Sequence, residues 1–215
     1  MPKKNIEYWE NLLKNPSKAY KDSLDKEEDY LIKNVNKNAK VLEIGCGAGR
    51  SLKRLLPITH RLVGIDHDPT AVELAKEQFK ALPEVKIFLE NAKKLHFKDS
   101  TFDYVFCMVS FSNFGEDKFK VLHEMRRVMK KDGVILISVF SETSFEERMR
   151  AYKQSKVPIK EIKGTTVIFE DSLGGGDNVS EQYSKEELKD LFERAGLKII
   201  EIKNLGILNI CKLRK

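Results

Sequence analysis

The stretch VLEIGCGAGR, residues 41–50, decides the fold of this chain, because a short apolar run leads directly into three glycines at alternate positions. Glycine allows the backbone to approach a ligand closely and to turn through conformations that other residues avoid. A buried strand that passes through such a turn into a helix is typical of α/β proteins, in which the turn holds a ligand near the helix N-terminus. The sequence therefore predicts a strand, a ligand-binding turn and a helix at this point.

Apolar runs of strand length recur after this turn, at residues 61–65, 85–89, 104–108 and 134–140. They are almost continuously apolar, as in strands that are buried on both faces. Between them lie stretches that favour helices, at residues 51–56, 69–82 and 117–129, and a turn at Lys131-Asp132-Gly133 closes the last of these helices. The alternation of strand and helix predicts an α/β fold with a doubly wound, mostly parallel sheet.

The two ends of the chain follow other patterns. Two amphipathic helices are expected at residues 5–15 and 20–34, and a capping box at Ser184 predicts a late helix that runs to Gly196. The apolar runs after Gly196 predict an antiparallel C-terminal hairpin. We therefore expect a single domain, 1–215, made of a helical cap (1–38), a core (39–140), an inserted substrate-side segment (141–183, with a glycine-rich turn at 174–178), and a C-terminal helix and hairpin (184–215).

Composition limits the class of protein. The chain has 215 residues, of which 41% are hydrophobic and 33% charged, and this balance favours one globular domain over a disordered chain. No apolar run approaches the roughly 18 to 20 residues that cross a bilayer, and the first ten residues are charged, unlike a signal peptide. We therefore expect a cytoplasmic protein with no membrane partner.

Cysteine and histidine placement argues against a disulfide framework and against a metal site. Cys46, Cys107 and Cys211 are odd in number and widely spaced, and the four histidines lack the spacing of metal ligands. The net charge of +6 is spread over most of the chain. Only the stretch from Arg148 to Lys163 is basic enough to suggest contact with an anionic substrate.

The glycine turn differs from the turn of dinucleotide-binding enzymes. In Gly-x-Gly-x-x-Gly the third glycine follows two spacer residues, whereas here Gly49 comes one residue early and Arg50 takes the place of the glycine. Glu43 adds a carboxylate, which suits a cationic ligand better than a pyrophosphate. Asp66 ends the next strand, where it can accept both ribose hydroxyls of an adenosine, and Asn91 follows the third strand, where it can read adenine. These positions predict an adenosine-containing ligand.

The pattern Glu43-x-Gly45-x-Gly47-x-Gly49, with Asp66 and Asn91 in register, resembles the class I S-adenosylmethionine-dependent methyltransferases. The resemblance is to the small branch that includes quinone-biosynthesis methyltransferases. It covers residues 40–140 and, more loosely, 184–202. It implies a Rossmann-like fold with a seven-stranded sheet, S-adenosyl-L-methionine as the cofactor and S-adenosyl-L-homocysteine as its product.

The resemblance also implies a set of cofactor-binding residues near the carboxyl ends of the first four strands: Glu43, Gly45, Cys46, Gly47, Ala48, Gly49, Asp66, His67, Asn91, Ala92 and Met108. Glu43 would face the methionine ammonium, Asp66 would hold the ribose, and Asn91 with Ala92 would bracket the adenine. Asn91 replaces the aspartate of many relatives and keeps an acceptor oxygen. His67 replaces an apolar residue and can stack on the adenine face.

Candidates for the acceptor pocket lie after the fourth strand, in the cap and in the insertion: Tyr8, Trp9, Tyr20, Ser110, Phe111, Asn113, Phe114, Glu181 and Tyr183. Methyl transfer from a sulfonium is an in-line displacement that depends on positioning, so no catalytic residue is assigned. A small-molecule acceptor is expected, because no Asn-Pro-Pro-Tyr motif and no nucleic-acid module are visible. RNA or protein acceptors, a regulator that binds the cofactor without turnover, and an NAD-dependent oxidoreductase remain alternatives.

Overall fold

The computed structural model describes residues 5–170 and 178–215 of the chain. The helices are α1 (Asn5–Lys14), α2 (Lys18–Asn34), α3 (Arg50–Leu55), α4 (Pro69–Gln78), α5 (Lys118–Val128), α6 (Phe145–Ser155) and α7 (Lys185–Arg194). The strands are β1 (Val41–Ile44), β2 (Leu62–Asp66), β3 (Lys86–Leu89), β4 (Phe102–Met108), β5 (Met129–Ser141), β6 (Ile159–Lys163), β7 (Thr166–Phe169), β8 (Val179–Ser180), β9 (Gln182–Tyr183), β10 (Lys198–Asn204) and β11 (Leu208–Arg214).

Seven strands form the central sheet in the order β10-β11-β5-β4-β1-β2-β3. The strands from β5 to β3 in this order are parallel, whereas β11 runs antiparallel to β5 and β10 antiparallel to β11. The two-residue strand β9 pairs with β5 at Phe140–Ser141, beyond the end of β4. The predicted doubly wound, mostly parallel sheet with an antiparallel C-terminal hairpin is confirmed.

Two apolar layers hold the sheet between helices. Consecutive residues of β1 point to opposite sides, so Val41 packs with Leu31 of α2 and Leu52 of α3, while Leu42 packs in the layer that contains Val121 of α5. All residues of β1 and β2 are buried, which explains their almost continuous apolar sequence. The parallel strands therefore end together at one edge of the sheet, where ligands of open α/β sheets bind.

Local signals set several helix boundaries. The Asp68 side chain accepts from the backbone N–H groups of Thr70 and Ala71, and Pro69 occupies the first turn of α4. Ser184 and Glu187 form the reciprocal hydrogen bonds of the predicted capping box at the start of α7. The structure ends α4 at Gln78 rather than at residue 82.

The turn predicted at Lys131-Asp132-Gly133 is wrong, because β5 begins at Met129 and includes these residues. Met129 pairs with Phe102 and Val134 pairs with Tyr104, so six residues of β5 span three residues of β4. The polar residues lie in this irregularity and bulge out at the end of the sheet. Their turn-like composition reflects the bulge rather than a break in the strand.

The segment after the core has more structure than its sequence indicated. It contains α6 and a separate antiparallel sheet in the order β6-β7-β8. Of the glycine-rich turn predicted at residues 174–178, only Asn178 lies among the described residues. Helix α1 packs on α6, and α2 packs on α3 and β11, which places the two helices of the predicted cap beside the carboxyl ends of the strands. Across residues 5–170 and 178–215, no helix has the length and apolar character to span a bilayer.

Candidate functional site

A cavity of about 370 Å³ lies at the carboxyl ends of β1, β2 and β4, and residues of α1 form part of its lining. Ten of the residues predicted to contact the cofactor line this cavity: Glu43, Gly45, Cys46, Gly47, Ala48, Asp66, His67, Asn91, Ala92 and Met108. The fold therefore brings together residues from four separate segments of the chain. Gly49 does not line the cavity.

The three glycines of the turn adopt backbone conformations that are strained for residues with a side chain. Gly45, Gly47 and Gly49 have φ angles of +68°, +54° and +92°. A Cβ atom on Gly45 would lie 2.7 Å from the side chain of Ser110, whose hydroxyl donates a 2.9 Å hydrogen bond to the carbonyl of Gly45. A Cβ atom on Gly49 would lie 2.5 Å from the ring of Phe79. Gly49 thus serves the packing of α3 on α4, and Gly45 lets the turn approach the loop after β4.

Asp66 is held at the end of β2 by the backbone around it. Its Oδ2 accepts a 2.8 Å hydrogen bond from the N–H of Gly47, and its Oδ1 accepts a 3.0 Å hydrogen bond from the N–H of Asp68. The Nδ1 atom of His67 lies 3.5 Å from Oδ1. The carboxylate is buried but lines the cavity, so its remaining lone pairs can accept hydroxyl protons from a ligand.

Glu43 is a buried carboxyl group with an unused oxygen. Its Oε2 has no hydrogen-bond partner among the described residues, although Glu43 lines the cavity. Burial raises the pKa of Glu43 to about 8, against the opposing effects of a hydrogen bond from Ser51 and of the nearby Arg50. A buried acceptor without a partner is costly, so a cationic donor entering the cavity would be stabilised there. This environment fits the ammonium group of the methionine part of S-adenosylmethionine.

Asn91 and Ala92 lie at the far side of the cavity, past the end of β3. The Oδ1 of Asn91 accepts a 2.9 Å hydrogen bond from the backbone N–H of Lys93 and closes a local turn. The acceptor oxygen considered from the sequence therefore has a partner within the chain, and the amide NH₂ is the other group that Asn91 offers to an adenine edge. Ala92 is buried beneath it.

A buried ionic network behind the glycine turn was not predicted. Arg50 lines the cavity and pairs with Glu27 at 2.7 Å and with Glu28 at 3.0 Å. Fully buried Glu27 also accepts from the hydroxyl of Ser138, and this hydroxyl accepts a 2.8 Å bond from the N–H of Val109. Val109 has φ +63°, which strains a β-branched residue. The network therefore ties the cap helix α2 to the turn and fixes the strained start of the loop after β4.

The other half of the cavity is mainly aromatic and aliphatic. Trp9 of α1 packs edge to face against Tyr152 and Phe169, with ring centroids 5.9 Å and 5.5 Å apart, and Tyr20 packs against Phe140 at 6.1 Å. All five of these rings line the cavity, together with Phe114 and leucines of the cap. Sequence reasoning found Trp9 and Tyr20 but missed the three rings that come from β5 and the insertion.

Tyr20 adds one polar group to this half. Burial raises the pKa of Tyr20 far above its usual range, so its hydroxyl stays protonated at neutral pH. The neutral phenol can donate one hydrogen bond to a ligand in the cavity. Ser110 and Asn113, two of the candidates for the acceptor pocket, line the cavity, and Asn113 donates a 2.8 Å hydrogen bond to the carbonyl of Val179.

Four predicted acceptor-side residues do not line the cavity. Phe111 is fully buried in the apolar layer that contains α5, and Tyr8 packs against the other layer. Glu181 and Tyr183 instead form a cluster with Lys118, in which the lysine Nζ lies 2.8 Å from Glu181 and the Tyr183 hydroxyl donates to Glu181 at 2.6 Å. They fasten the insertion to α5 and lie apart from the ligand cavity.

Arg148, the first residue of the basic stretch that ends at Lys163, does not lie on the surface. Arg148 is fully buried, donates to Gln182 and to the carbonyls of Thr165 and Ser180, and lies over the ring of Phe140. Arg148 holds the insertion together and cannot contact an anionic substrate at the surface.

The cysteines are free and buried. Burial raises the pKa of the Cys46 and Cys107 thiols, so neither is a reactive thiolate at neutral pH. Within the two described ranges, no three His, Cys, Asp or Glu side chains come together as a metal site would require.

Known proteins share this domain and fold. Residues 42–137 match the protein family described as "Methyltransferase domain". A demethylmenaquinone methyltransferase of Staphylococcus aureus (strain JH9) is 29% identical over 178 residues, which are 79% of this chain and 72% of that protein.

Two solved structures illustrate the fold. A protein of Pyrococcus horikoshii OT3 has a TM-score of 0.70 and 24% identity, over 93% of this chain and 92% of that one. A 1,6-didemethyltoxoflavin-N1-methyltransferase of Burkholderia thailandensis, solved with 1,6-didemethyltoxoflavin and S-adenosylhomocysteine, has a TM-score of 0.68 and 16% identity, over 90% of this chain and 78% of that one.

The matched residues 42–137 include the strands β1 to β4, whose carboxyl ends build the cavity, and most of β5. The sheet order, the glycine turn and the unpartnered Glu43 oxygen agree with this match. Residues 42–137 thus form a methyltransferase domain, and the chain has the fold of class I S-adenosylmethionine-dependent methyltransferases.

Proposed function

We propose that this enzyme methylates a small, largely apolar and planar molecule, held in the aromatic half of the cavity between α1 and the insertion. The observation that carries the proposal is the wall formed by Trp9, Tyr20, Phe140, Tyr152 and Phe169. Aromatic rings that meet edge to face leave flat, apolar surfaces on which a planar ligand packs well. The named acceptors of two similar proteins, demethylmenaquinone and 1,6-didemethyltoxoflavin, are also small molecules.

The cofactor would occupy the polar half of the cavity. Glu43 would receive the ammonium, Asp66 the ribose hydroxyls, and the glycine turn would pass along the methionine chain. His67 and Ala92 would contact the adenine, with the amide of Asn91 at its edge. Asp66 and Glu43 come from adjacent parallel strands, which supports a ligand that spans both strand ends.

For methyl transfer, the protein must position the two reactants and exclude water from the site. S-adenosylmethionine supplies a methyl group on a sulfonium, which leaves in line with the attacking atom. Helix α1 and the aromatic wall keep water from the acceptor, and the Tyr20 hydroxyl can orient it by one hydrogen bond. Positioning of this kind accelerates a displacement without a general base.

The alternatives fit these residues less well. A dinucleotide would place its pyrophosphate against the glycine turn, but Gly49 comes one residue early for the dinucleotide pattern and Arg50 takes the place of its third glycine. RNA or a protein would need an open approach to the acceptor site, whereas residues of α1 line the aromatic half of the cavity. A regulator that binds the cofactor without turnover would have the same cavity. It would differ from an enzyme only by forming no methylated product.

The acceptor is tested by incubating the purified enzyme with methyl-labelled S-adenosylmethionine and separate small-molecule, protein and RNA fractions. We expect labelled product in the small-molecule fraction, retained by organic extraction, and none with heat-denatured enzyme. Label confined to RNA or protein would contradict the proposed acceptor. Tight binding of the cofactor with no label in any fraction would favour the regulator.

Cofactor binding should release a proton from Glu43. In the free enzyme, burial raises the pKa of Glu43 from its usual value of 4.5 to about 8, so the group is mostly protonated at neutral pH. The ammonium favours the ionised form and lowers this pKa, so binding near pH 7 should release about one proton per site. The number of protons is measured by calorimetric titration of S-adenosylhomocysteine in buffers of different ionisation enthalpy.

The control for this linkage is Glu43→Gln, which keeps the shape of the side chain and has no proton to lose. Its binding heat should not depend on the buffer. The raised pKa of Glu43 also makes the stability of the free protein depend on pH. Protonated Glu43 stabilises the folded state fully below pH 4.5, and this contribution is lost as the pH rises through about 8. Equal proton release by both forms of the enzyme would show that Glu43 does not meet the ammonium.

A further inference from the structure

The carboxylate of Asp68 caps two helices at once. Its Oδ1 accepts from the N–H groups of Thr70, at 2.8 Å, and Ala71, at 3.4 Å, in the first turn of α4. Its Oδ2 accepts a 3.2 Å hydrogen bond from the N–H of Ile6, in the first turn of α1. A carboxylate at a helix N-terminus is stabilised by the free N–H groups and by the helix dipole, and here both helices share it.

Helix α1 forms much of the wall of the cavity. Five of its ten residues line it: Ile6, Trp9, Glu10, Leu12 and Leu13. A helix of this length is not stable in water by itself and depends on tertiary contacts. These contacts are the packing of Trp9 on the insertion, the burial of Ile6 and Leu12, and the hydrogen bond to Asp68. The hydrogen bond to Asp68 joins α1 directly to the cofactor side.

Asp68 lies in the same short segment of chain, residues 66–68, as Asp66. The backbone N–H of Asp68 donates to Asp66 Oδ1 at 3.0 Å, and Asp66 Oδ2 accepts from Gly47. The side chain of Ile6 in turn lies near Gly47, at 3.9 Å from the position of a Cβ on that glycine. The start of α1 is therefore fixed against the glycine turn and the strand end that meet the cofactor, within three residues of Asp66.

We propose that Asp68 is a positioning residue that holds α1 over the cofactor and so completes the aromatic wall that the acceptor meets. Asp68 does not touch the reacting atoms; it acts through the first turn of α1, which sets where Trp9 lies. The inference rests on the proposed function only for the identity of the molecules in the cavity. The placement of α1 by Asp68 is independent of it.

The test uses Asp68→Asn and Asp68→Ser in the full chain. Asparagine and serine cap α4 as well as aspartate does, but neither can accept from both helices. Trp9 is the only tryptophan, so its fluorescence quenching by acrylamide reports the closure of α1 directly. In the ligand-free protein we expect the quenching constant to rise about twofold in both variants, and the dissociation rate of S-adenosylhomocysteine to rise about tenfold, as loss of one charge-assisted hydrogen bond implies.

The control is Asp25→Asn, an exposed aspartate of α2 that pairs with Lys21 at 2.8 Å. It should leave both readouts unchanged. The inference would be overturned by a Trp9 quenching constant that stays at the parent value in the Asp68 variants, or by an equal rise in the control. If S-adenosylhomocysteine does not bind the parent enzyme, the proposed function fails, while the quenching result still decides the role of Asp68.

Discussion

Replacing Asp66 by asparagine is expected to weaken S-adenosylhomocysteine binding by about 100-fold, because each charge-assisted hydrogen bond contributes about 1.5–3 kcal/mol. The carboxylate accepts from the N–H groups of Gly47 and Asp68 and is proposed to accept the ribose hydroxyls. An amide keeps only one acceptor oxygen, so its NH₂ must face either a backbone N–H or the ribose. Calorimetric titration of both proteins measures the change in the dissociation constant.

Asp103→Asn is the matched control for Asp66. Asp103 also accepts from a backbone N–H, that of Lys40 at 2.8 Å, and pairs with Lys130 at 2.7 Å, but it lies at the opposite end of the sheet. Its loss should lower the free energy of unfolding and leave the dissociation constant unchanged. Equal binding by the parent and the Asp66 variant would show that Asp66 does not contact the ligand. Equal weakening of binding in both variants would show that lost stability, rather than a lost contact, is the cause.

Gly45→Ala is expected to lower the free energy of unfolding by about 3–5 kcal/mol, from backbone strain together with overpacking. Gly45 has φ +68°, and the new Cβ would lie 2.7 Å from both the Cβ and the Oγ of Ser110. The loop after β4 must then move away from the turn, so cofactor binding is lost as well. Chemical denaturation gives the stability, and titration of the folded fraction gives the binding.

Gly164→Ala separates the two causes. Gly164 has φ +59°, and a Cβ there would meet nothing within 4 Å, so only the cost of a left-handed alanine remains, about 1–2 kcal/mol. Ser110→Gly should restore part of the stability of Gly45→Ala in the double variant, because it removes both clashing atoms. Equal losses from Gly45→Ala and Gly164→Ala would mean that contact with Ser110 carries no cost.

The sheet and the polar half of the cavity could be predicted from the sequence because their signals are local. Buried parallel strands are almost continuously apolar, and a positive φ close to a neighbouring side chain leaves glycine as the residue that fits, as at Gly45. Asp66 directly follows the apolar run at residues 61–65, so the sequence places it at the end of the second strand. These features follow from a few consecutive residues, so the topology places them correctly.

The acceptor half and the ionic network depend on contacts that a linear pattern does not contain. Glu27 and Glu28 resemble a solvated helix face until Arg50 and Ser138 are brought against them by the fold. Phe169 lies on a short strand of the insertion, where no clear alternation predicts its direction. Phe111 was likewise expected in the acceptor pocket, but tertiary packing buries it in the core.

Thermal unfolding with increasing S-adenosylhomocysteine tests most directly whether the cavity binds the methyl donor's nucleoside and amino-acid parts together. A ligand that binds only the folded state raises the melting temperature progressively with its concentration. We predict such a rise for S-adenosylhomocysteine, none for NAD, and its loss in Asp66→Asn. A melting temperature that does not respond to S-adenosylhomocysteine, or that responds to NAD instead, would contradict the account.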